Sequence, residues 1–331
     1  MIVIVSSEFD IHVDAVIARL REGGERHFLR IDLGTAIDRY EVVWQVRHGR
    51  SSWQLVSRDL GVVLTSADDF VVWWRRALSV RDDLISDRPA AAASDRSEIF
   101  GAVKALLEAE PPGRYPLGHP IKMRMADNKC LQAKVAGDVG FSTPASVLTN
   151  SLPAAQRFYS EHSSVVAKPF YVRAVRYESE EIGLYASPVC GLDAERFVQG
   201  WLQQRIERGF DVRVNVLPRQ TVAFKIETGR LNAAFTDWRP DTFDYEHAHI
   251  EVPGEIETRC REFLKRLNLK WGAFDFIVDR DGAWWFLECN PNGQWLWLEH
   301  KTAVPLSKFF ARELLSAAPI ADPEIRSHPV G

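Results

Sequence analysis

The apolar positions at the start of the chain form a run, Ile2 to Val5, and then recur at helical spacing, Val13, Val16, Ile17 and Leu20, until Gly23-Gly24 stops them. This predicts a strand followed by a helix. Phe28 to Ile31, Glu41 to Arg47, Trp53 to Val56 and Val62 to Leu64 read as strands, followed by the aromatic segment Val71 to Trp74. No G-x-G-x-x-G follows the first strand, which argues against a dinucleotide site there. A helix is predicted from Ser94, as its N-cap, to Glu110, where Pro111-Pro112-Gly113 breaks it. The loop PPGRYPLGHP is the best candidate for a domain boundary.

After that loop, Asp127-Asn128-Lys129 opens a helix that Gly137 and Gly140 close. A strand near Val147, a helix capped by Ser151 and the strand Val165 to Lys168 follow. Asp211 to Val216 and Thr221 to Glu227 alternate with period two, with Val212, Val214 and Val216 on one side and Asp211, Arg213 and Asn215 on the other. Lys225 and Glu227 lie opposite Phe224 on their strand, which leaves a charged groove shared with Arg213 open beside a solvated sheet face. An amphipathic helix carries Ile256, Cys260, Phe263, Leu264 and Leu267 on one stripe. It leads into a hairpin, Ala273 to Val278 and Ala283 to Glu288, turned at DRDG.

With 331 residues, two or three packed subdomains are expected. Apolar residues at 46% and charged residues at 26% suit a globular protein without a membrane span, and no secretory signal is legible at the N-terminus. Cys130, Cys190, Cys260 and Cys289 are too far apart for a zinc or iron–sulfur clamp, so reduced thiols in the cytoplasm are expected. A net charge of −4 gives no general attraction to nucleic acid, and the only local basic cluster is Arg75-Arg76.

The chemistry concentrates in the last hairpin. A loop tight at Arg280-Asp281 sets Asp275 opposite Phe286, and one tight at Asp281-Gly282 sets it opposite Glu288. Either register keeps Asp275, Glu288 and Asn290 on one face, whereas a three-residue loop flips the register and breaks the arrangement. Facing or diagonal Cβ atoms lie about 5 to 8 Å apart. Two carboxylates and an amide oxygen at that spacing are hard ligands suited to Mg²⁺, although solvated acids on a surface hairpin have the same pattern. Lys168 ends an apolar strand and precedes Pro169, which holds it extended and aims a point charge off the sheet. Lys129 stands at a helix start, where a cation is disfavoured unless an anion lies nearby.

Taken in order, NKCLQAKVAGDVGFSTPASVLTN, VVAKP, QQRIERGFDVRVNV, WGAFDFIVD and FLECNPNGQWLWLE resemble the ATP-grasp superfamily, over about Lys129 to Leu315. Within it the chain is most similar to the microviridin-type graspetide maturases, through VVWWRRAL, GHP before the lysine helix, DWR at Asp237 to Arg239, and ECNPNGQWLWLE. The resemblance implies an α+β, ATP-grasp fold: an N-terminal α/β domain (1–115), a first lobe with Lys129 and Lys168 (116–200) and a second lobe with the metal hairpin (201–331). It implies ATP and Mg²⁺ as cofactors. Lys129 and Lys168 then contact phosphates, Gln204, Arg205 and Ile206 face adenine, Asp211 takes the ribose, and Asp275, Glu288 and Asn290 hold magnesium. Arg213 and Arg239 take the catalytic role, steadying the transferring phosphoryl group.

The activity so implied is phosphorylation of an Asp or Glu side chain of a ribosomally made precursor peptide, leader plus core, followed by ester or amide closure. No nucleic acid or membrane partner is expected, and a homodimer is left open. Two other readings remain: a ligase or kinase acting on free amino acids or small acids, and a nucleotide-binding partner protein without catalysis. In one respect the sequence departs from the superfamily: Phe170 to Ile182 contains no glycine, so a phosphate-covering lid there has to use Arg173 or Arg176. Cys289, between Glu288 and Asn290, is expected to face away from the metal, and Trp284, Trp285, Trp295 and Trp297 are expected in the core.

Overall fold

The structure is a computed structural model and describes residues 1–61, 63–76, 90–169, 174–177, 180–183, 186–189, 191, 200–228 and 245–319. The first third contains β1 (Ile2–Val5), α1 (Ile11–Glu22), β2 (Phe28–Ile31), α2 (Ala36–Arg39), β3 (Tyr40–Arg47), β4 (Arg50–Ser57), β5 (Val63–Thr65), β6 (Val71–Trp74) and α3 (Ala90–Glu108). β1 is fully buried at the centre of a parallel sheet, β2-β1-β6, which is why its sequence is an unbroken apolar run. Val3 and Val5 pack with Val103 and Leu107 of α3, while Ile2 and Ile4 join a larger core shared with the last third of the chain. β3, β4 and β5 form a separate antiparallel sheet. α3 begins at Ala90, earlier than a Ser94 cap predicts, because the run Ala90 to Ala93 has the highest intrinsic helix propensity.

The middle contains α4 (Pro120–Ala126), α5 (Lys129–Asp138), β7 (Ser146–Thr149), α6 (Leu152–Glu161), β8 (Val165–Lys168), β9 (Ala174–Tyr177), β10 (Glu180–Gly183), β11 (Ser187–Pro188) and β12 (Gly200–Gln204). β11-β8-β12-β7 make a four-stranded antiparallel sheet, and β9 pairs with β10. Ser151 stands at the N-cap of α6, but its side chain makes no capping bond.

The last third contains β13 (Arg208–Val216), β14 (Thr221–Ile226), β15 (His247–Ile250), α7 (Gly254–Arg266), β16 (Gly272–Asp279), β17 (Trp284–Asn290), α8 (Leu296–Thr302) and α9 (Leu306–Ala317). Its five strands run in the order β15-β14-β13-β16-β17, all antiparallel. The buried stripe of α7, Ile256, Cys260, Phe263 and Leu264, packs in one cluster with Phe274, Phe276, Phe286 and Cys289. That cluster fixes one face of the sheet as core and leaves Asp211, Arg213, Asp275 and Glu288 to the other.

The charged groove of Lys225 with Arg213, left open by the sequence, does not form. The cross-strand partner of Lys225 is Val212, whereas that of Arg213 is Phe224, so the two cations occupy opposite faces. Lys225 pairs with Glu227 and sits 4.5 Å from the Phe210 ring centroid. Among the described residues no helix is long and apolar enough to cross a membrane.

Candidate nucleotide and metal site

The hairpin β16–β17 reaches the expected pairing by a route the sequence hides. Its loop holds three residues, because Asp279 N donates to Ala283 O at 3.0 Å and Arg280, Asp281 and Gly282 lie between. Gly282 takes φ +85, the left-handed conformation such a loop requires at its last position. Near the loop the register is therefore Val278↔Trp284, Ile277↔Trp285 and Phe276↔Phe286. Continued unchanged, it would set Asp275 against Leu287. A bulge between Asp275 and Phe276 restores the phase, and beyond it Asp275 faces Glu288 and Ala273 faces Asn290. The carboxylates are thus direct cross-strand neighbours, with Asn290 next along the same face.

Cys289 points to the opposite face, opposite Phe274 and 2% exposed, where burial pushes its thiol far above the usual range. It is a packing residue. Of the four tryptophans expected in the core, Trp295 is fully buried, whereas Trp284, Trp285 and Trp297 are half-buried.

Arg213 lies opposite Asp275 across β13 and β16. Its Nε and NH2 donate to the two carboxylate oxygens at 2.5 and 3.0 Å, and NH1 donates to Gln294 O at 3.1 Å. Such a two-pronged pair fixes both the place and the plane of the carboxylate. Asp211, two residues earlier on the same face, is 3% exposed, accepts from the Thr228 hydroxyl and pairs with Arg208 at 2.8 Å. A carboxylate so enclosed reaches a ribose only by exchanging one of these partners.

Gln132, which sequence reasoning passed over, joins the lysine helix to the acid strand. Its side-chain amide accepts from Cys289 N and donates to Cys289 O, both at 2.8 Å, and donates to Ala126 O at 2.7 Å. Cys289 separates Glu288 from Asn290, so this one amide registers the first turn of α5 against both acid-face residues. Lys129 begins that turn, and Asn128 caps it by accepting from Leu131 N at 3.1 Å. Asp127 is close enough for the charge of Glu288, after burial, to raise its carboxyl pKa. A third acid thus stands at the site.

Lys129 and Lys168 come together. Lys129 Nζ donates to Pro169 O at 3.0 Å and lies 5.6 Å from the Trp201 ring centroid, and Trp201 is the cross-strand partner of Lys168. Gln204, the last residue of β12, leads through Arg205 and Ile206 toward β13. Gln204 N donates to Ala145 O at 2.8 Å and Arg205 N to Ser164 O at 3.0 Å, so two of these three residues' main-chain donors are spent inside the protein. Just beyond, Gly209 sits at a register shift, where an added Cβ would meet Asp279 O at 2.9 Å.

The segment after Asn290 is held by two guanidiniums. Arg75, 1% exposed at the end of β6, donates to Asn292 O at 3.0 Å and Gly293 O at 2.8 Å, while Arg213 holds Gln294 O. Arg75 also faces Asp10 at 3.3 Å, and its burial lowers its pKa to about 10. In the sequence Arg75 is legible only as half of a basic pair. Arg239 and Arg173 lie outside the described residues, as does the side chain of Arg176.

Over 96% of this chain and 97% of the other, the structure superimposes with a TM-score of 0.82 and 26% identity on a RiPP-associated ATP-grasp ligase of Chryseobacterium gregarium, solved with ADP and a leader and core peptide. This chain belongs to the ATP-grasp superfamily. The macrocyclase MdnC of Microcystis aeruginosa, bound with its precursor peptide MdnA, has the same ATP-grasp fold, with a TM-score of 0.80, 24% identity and 96% and 100% coverage of the two chains. A D-alanine–D-alanine ligase of Bacillus anthracis shares the fold more distantly, at a TM-score of 0.52 and 12% identity over 96% of each chain. No protein-family model and no curated protein sequence matches the chain.

Among the described residues no group of three or more His, Cys, Asp or Glu side chains is placed to hold a metal by protein ligands alone. The donor set on the ATP-grasp hairpin, two facing carboxylates and a neighbouring amide, instead suits a hard ion that draws its remaining ligands from water and phosphate.

Proposed function

We propose that this chain is an ATP- and Mg²⁺-dependent ligase that activates Asp or Glu side chains of a ribosomally made precursor peptide, leader plus core, and closes ester or amide links from them. The observation that carries this reading is the pairing of Asp275 with Glu288 beside the Arg213 guanidinium, on a strand whose backbone is bonded to the lysine helix. The likeness to the Chryseobacterium ligase, which was solved with ADP and a leader and core peptide, supports the choice of substrate. We place the division of the chain near residues 115 and 200, with the phosphates between the second and third parts.

Each side chain takes a role from its position. Lys129 and Lys168 neutralise phosphate oxygens at Trp201. Ile206 N, which has no partner of its own among the described residues, is the hinge donor for adenine, since Gln204 and Arg205 are committed elsewhere. Asp211 serves the ribose by giving up one of its present contacts. Arg213, with two N–H groups beyond those used by Asp275 and Gln294, steadies the γ-phosphoryl group, joined by Arg239. Mg²⁺ held by Asp275, Glu288 and Asn290 supplies neutralisation of the charge that develops on the β- and γ-phosphates.

In the first step a peptide carboxylate oxygen attacks the γ-phosphorus, the bond to the β-phosphate oxygen breaks, and ADP leaves. In the second a Ser or Thr hydroxyl, or a Lys amine, attacks the acyl carbon; the C–O bond to phosphate breaks and the nucleophile's proton passes to solvent. Closing the site around these steps protects the acyl phosphate from water.

The test is incubation of the enzyme with ATP, Mg²⁺ and a short Thr-, Ser-, Asp- and Glu-rich peptide, sought first in the neighbouring reading frame, read by mass spectrometry. Loss of one water per link is expected. An unchanged peptide alongside ATP hydrolysis driven by a free amino acid would overturn the substrate assignment.

A further inference from the structure

Behind the sheet that carries the acids, a cavity of about 540 Å³ opens between the boundary loop, the β13–β14 turn and the end of α7. Small-molecule sites commonly measure about 300 to 1,000 Å³, so this one suits a compact ligand. Its floor is apolar, with Leu217, Leu264 and Leu269 all buried. Four cations stand around that floor, Lys122, Arg261, Lys265 and Lys270, and no acid is among the residues that line the cavity.

Arg261 belongs to the wall. Its Nε donates to Glu257 at 3.0 Å and its NH2 to the Thr221 hydroxyl at 2.8 Å, which ties α7 to β14 and neutralises the guanidinium. The three lysines are not so neutralised. Among the described residues neither Lys122 nor Lys270 makes an ion pair, and Lys265 meets Glu262 only at 3.7 Å with its side chain 81% exposed, a contact worth little. A favourable place at a helix end accounts for Lys265, in the last turn of α7. It does not account for Lys122, in the first turn of α4, or for Lys270, on the loop beyond α7. His119 has both ring nitrogens occupied by main-chain groups of Glu110 and Ile121, so it is not what a ligand would meet.

We infer that this cavity is a second anion site, for a small molecule carrying two or more phosphate groups. It lies on the other face of the sheet from Asp275 and Glu288 and does not depend on the role given to them. A cleft lined by one sign of charge over low-dielectric walls focuses the potential and gathers counter-ions. A phosphate group carries about 1.5 to 2 negative charges near pH 7, so two of them balance three ammonium groups, where one carboxylate balances a single one. Lysine suits the task, because its ammonium is a compact charge with three donors that turn to whichever oxygen is near. Asn268, which follows Lys265 by three residues and precedes Lys270 by two, adds a side-chain amide to the lining. A neighbouring cavity shares Tyr115, Pro218 and Lys270, but there Arg219 is spent on Glu313 at 2.7 Å. The unneutralised charge therefore lies on the side of α4 and α7. The apolar floor admits an organic body, so the phosphates can come from a nucleoside diphosphate or from free diphosphate.

Isothermal titration of the full chain with inorganic pyrophosphate in magnesium-free buffer tests this, in a Lys168→Gln background that takes a phosphate ligand from the other site. Binding of one pyrophosphate per chain is expected. Lys122→Gln together with Lys270→Gln should weaken it about tenfold or more, whereas Lys122→Arg with Lys270→Arg, which keeps both charges, should hold it within about threefold. Circular dichroism and melting curves, unchanged across the set, show that each protein is folded. Titration with ADP separates the two sources: tighter binding than pyrophosphate marks a nucleoside diphosphate as the occupant, and equal or weaker binding marks free diphosphate. A chain that takes up neither ligand in the Lys168→Gln background, or binding that survives Lys122→Gln with Lys270→Gln, would overturn the proposal. A glutamate-rich peptide held by these lysines where neither phosphate ligand is held would overturn it too, in favour of an acidic chain.

Discussion

Arg213 and Asp275 face each other across β13 and β16, and one guanidinium occupies both oxygens of the carboxylate proposed as a metal ligand. Their side chains are 8% and 15% exposed, so neither charge is left to water. Asp275→Asn strands a buried cation and is expected to cost about 3 kcal/mol of stability. Glu288→Gln instead removes the charge that raises the carboxyl pKa of Asp127. Both variants should lose at least about a hundredfold in ATP-dependent turnover. Urea titration beside an ATPase assay separates the two effects.

Gln132 satisfies Ala126 O and both main-chain groups of Cys289 from a buried position. Gln132→Leu leaves these groups without a partner and should cost about 3 kcal/mol. Its effect on turnover should be a raised Mg²⁺ requirement, because the helix start and the acid strand lose their common register. A magnesium titration of the variant checks this. An unchanged midpoint would mean that the amide serves stability alone.

Gly209→Ala drives a methyl group into the backbone of the hairpin, against Asp279 O and Val278 O. Main chain cannot step aside as a flexible side chain can. A loss of about 1 to 3 kcal/mol in denaturant unfolding is expected.

His12 is buried and accepts a hydrogen bond from Trp295 N at 3.3 Å. Burial, reinforced by the charge of Arg75, lowers its pKa to about 3. In the unfolded chain the ring takes a proton near pH 6.5, so between pH 6.5 and 3 the unfolded state binds more protons and stability falls as the pH falls. His12→Gln retains an acceptor without that proton. Its unfolding free energy should drop by about 2 kcal/mol less than that of the wild type between pH 7 and pH 5. Denaturant curves at the two pH values read this directly, and equal slopes would contradict it.

Periodicity alone located most strands and helices, including the α7 stripe and the opposed faces of β13, because a core facing one side of a sheet leaves an alternating trace. The hairpin shows where that logic stops. Its three-residue loop is the one the sequence reading counted against the site, and the bulge that cancels it leaves no mark in the pattern, since Phe286, Leu287 and Glu288 look like an ordinary strand. Gln132 and Arg75 were missed for a related reason. Both act on main-chain atoms distant in sequence, 157 residues away for Gln132 and 218 for Arg75, and nothing local marks such a partner. Whether Lys225 shares a face with Arg213 stayed open in the sequence because alternation within one strand does not say which face of the next strand it joins.

The most direct test of the site is a crystal of this protein with a non-hydrolysable ATP analogue and Mn²⁺, read by anomalous scattering. The peak should lie between the carboxylates of Asp275 and Glu288 and within reach of the Asn290 amide, with the terminal phosphate toward Lys129 and Lys168. A manganese peak away from that hairpin, or phosphates bound elsewhere, would contradict the account.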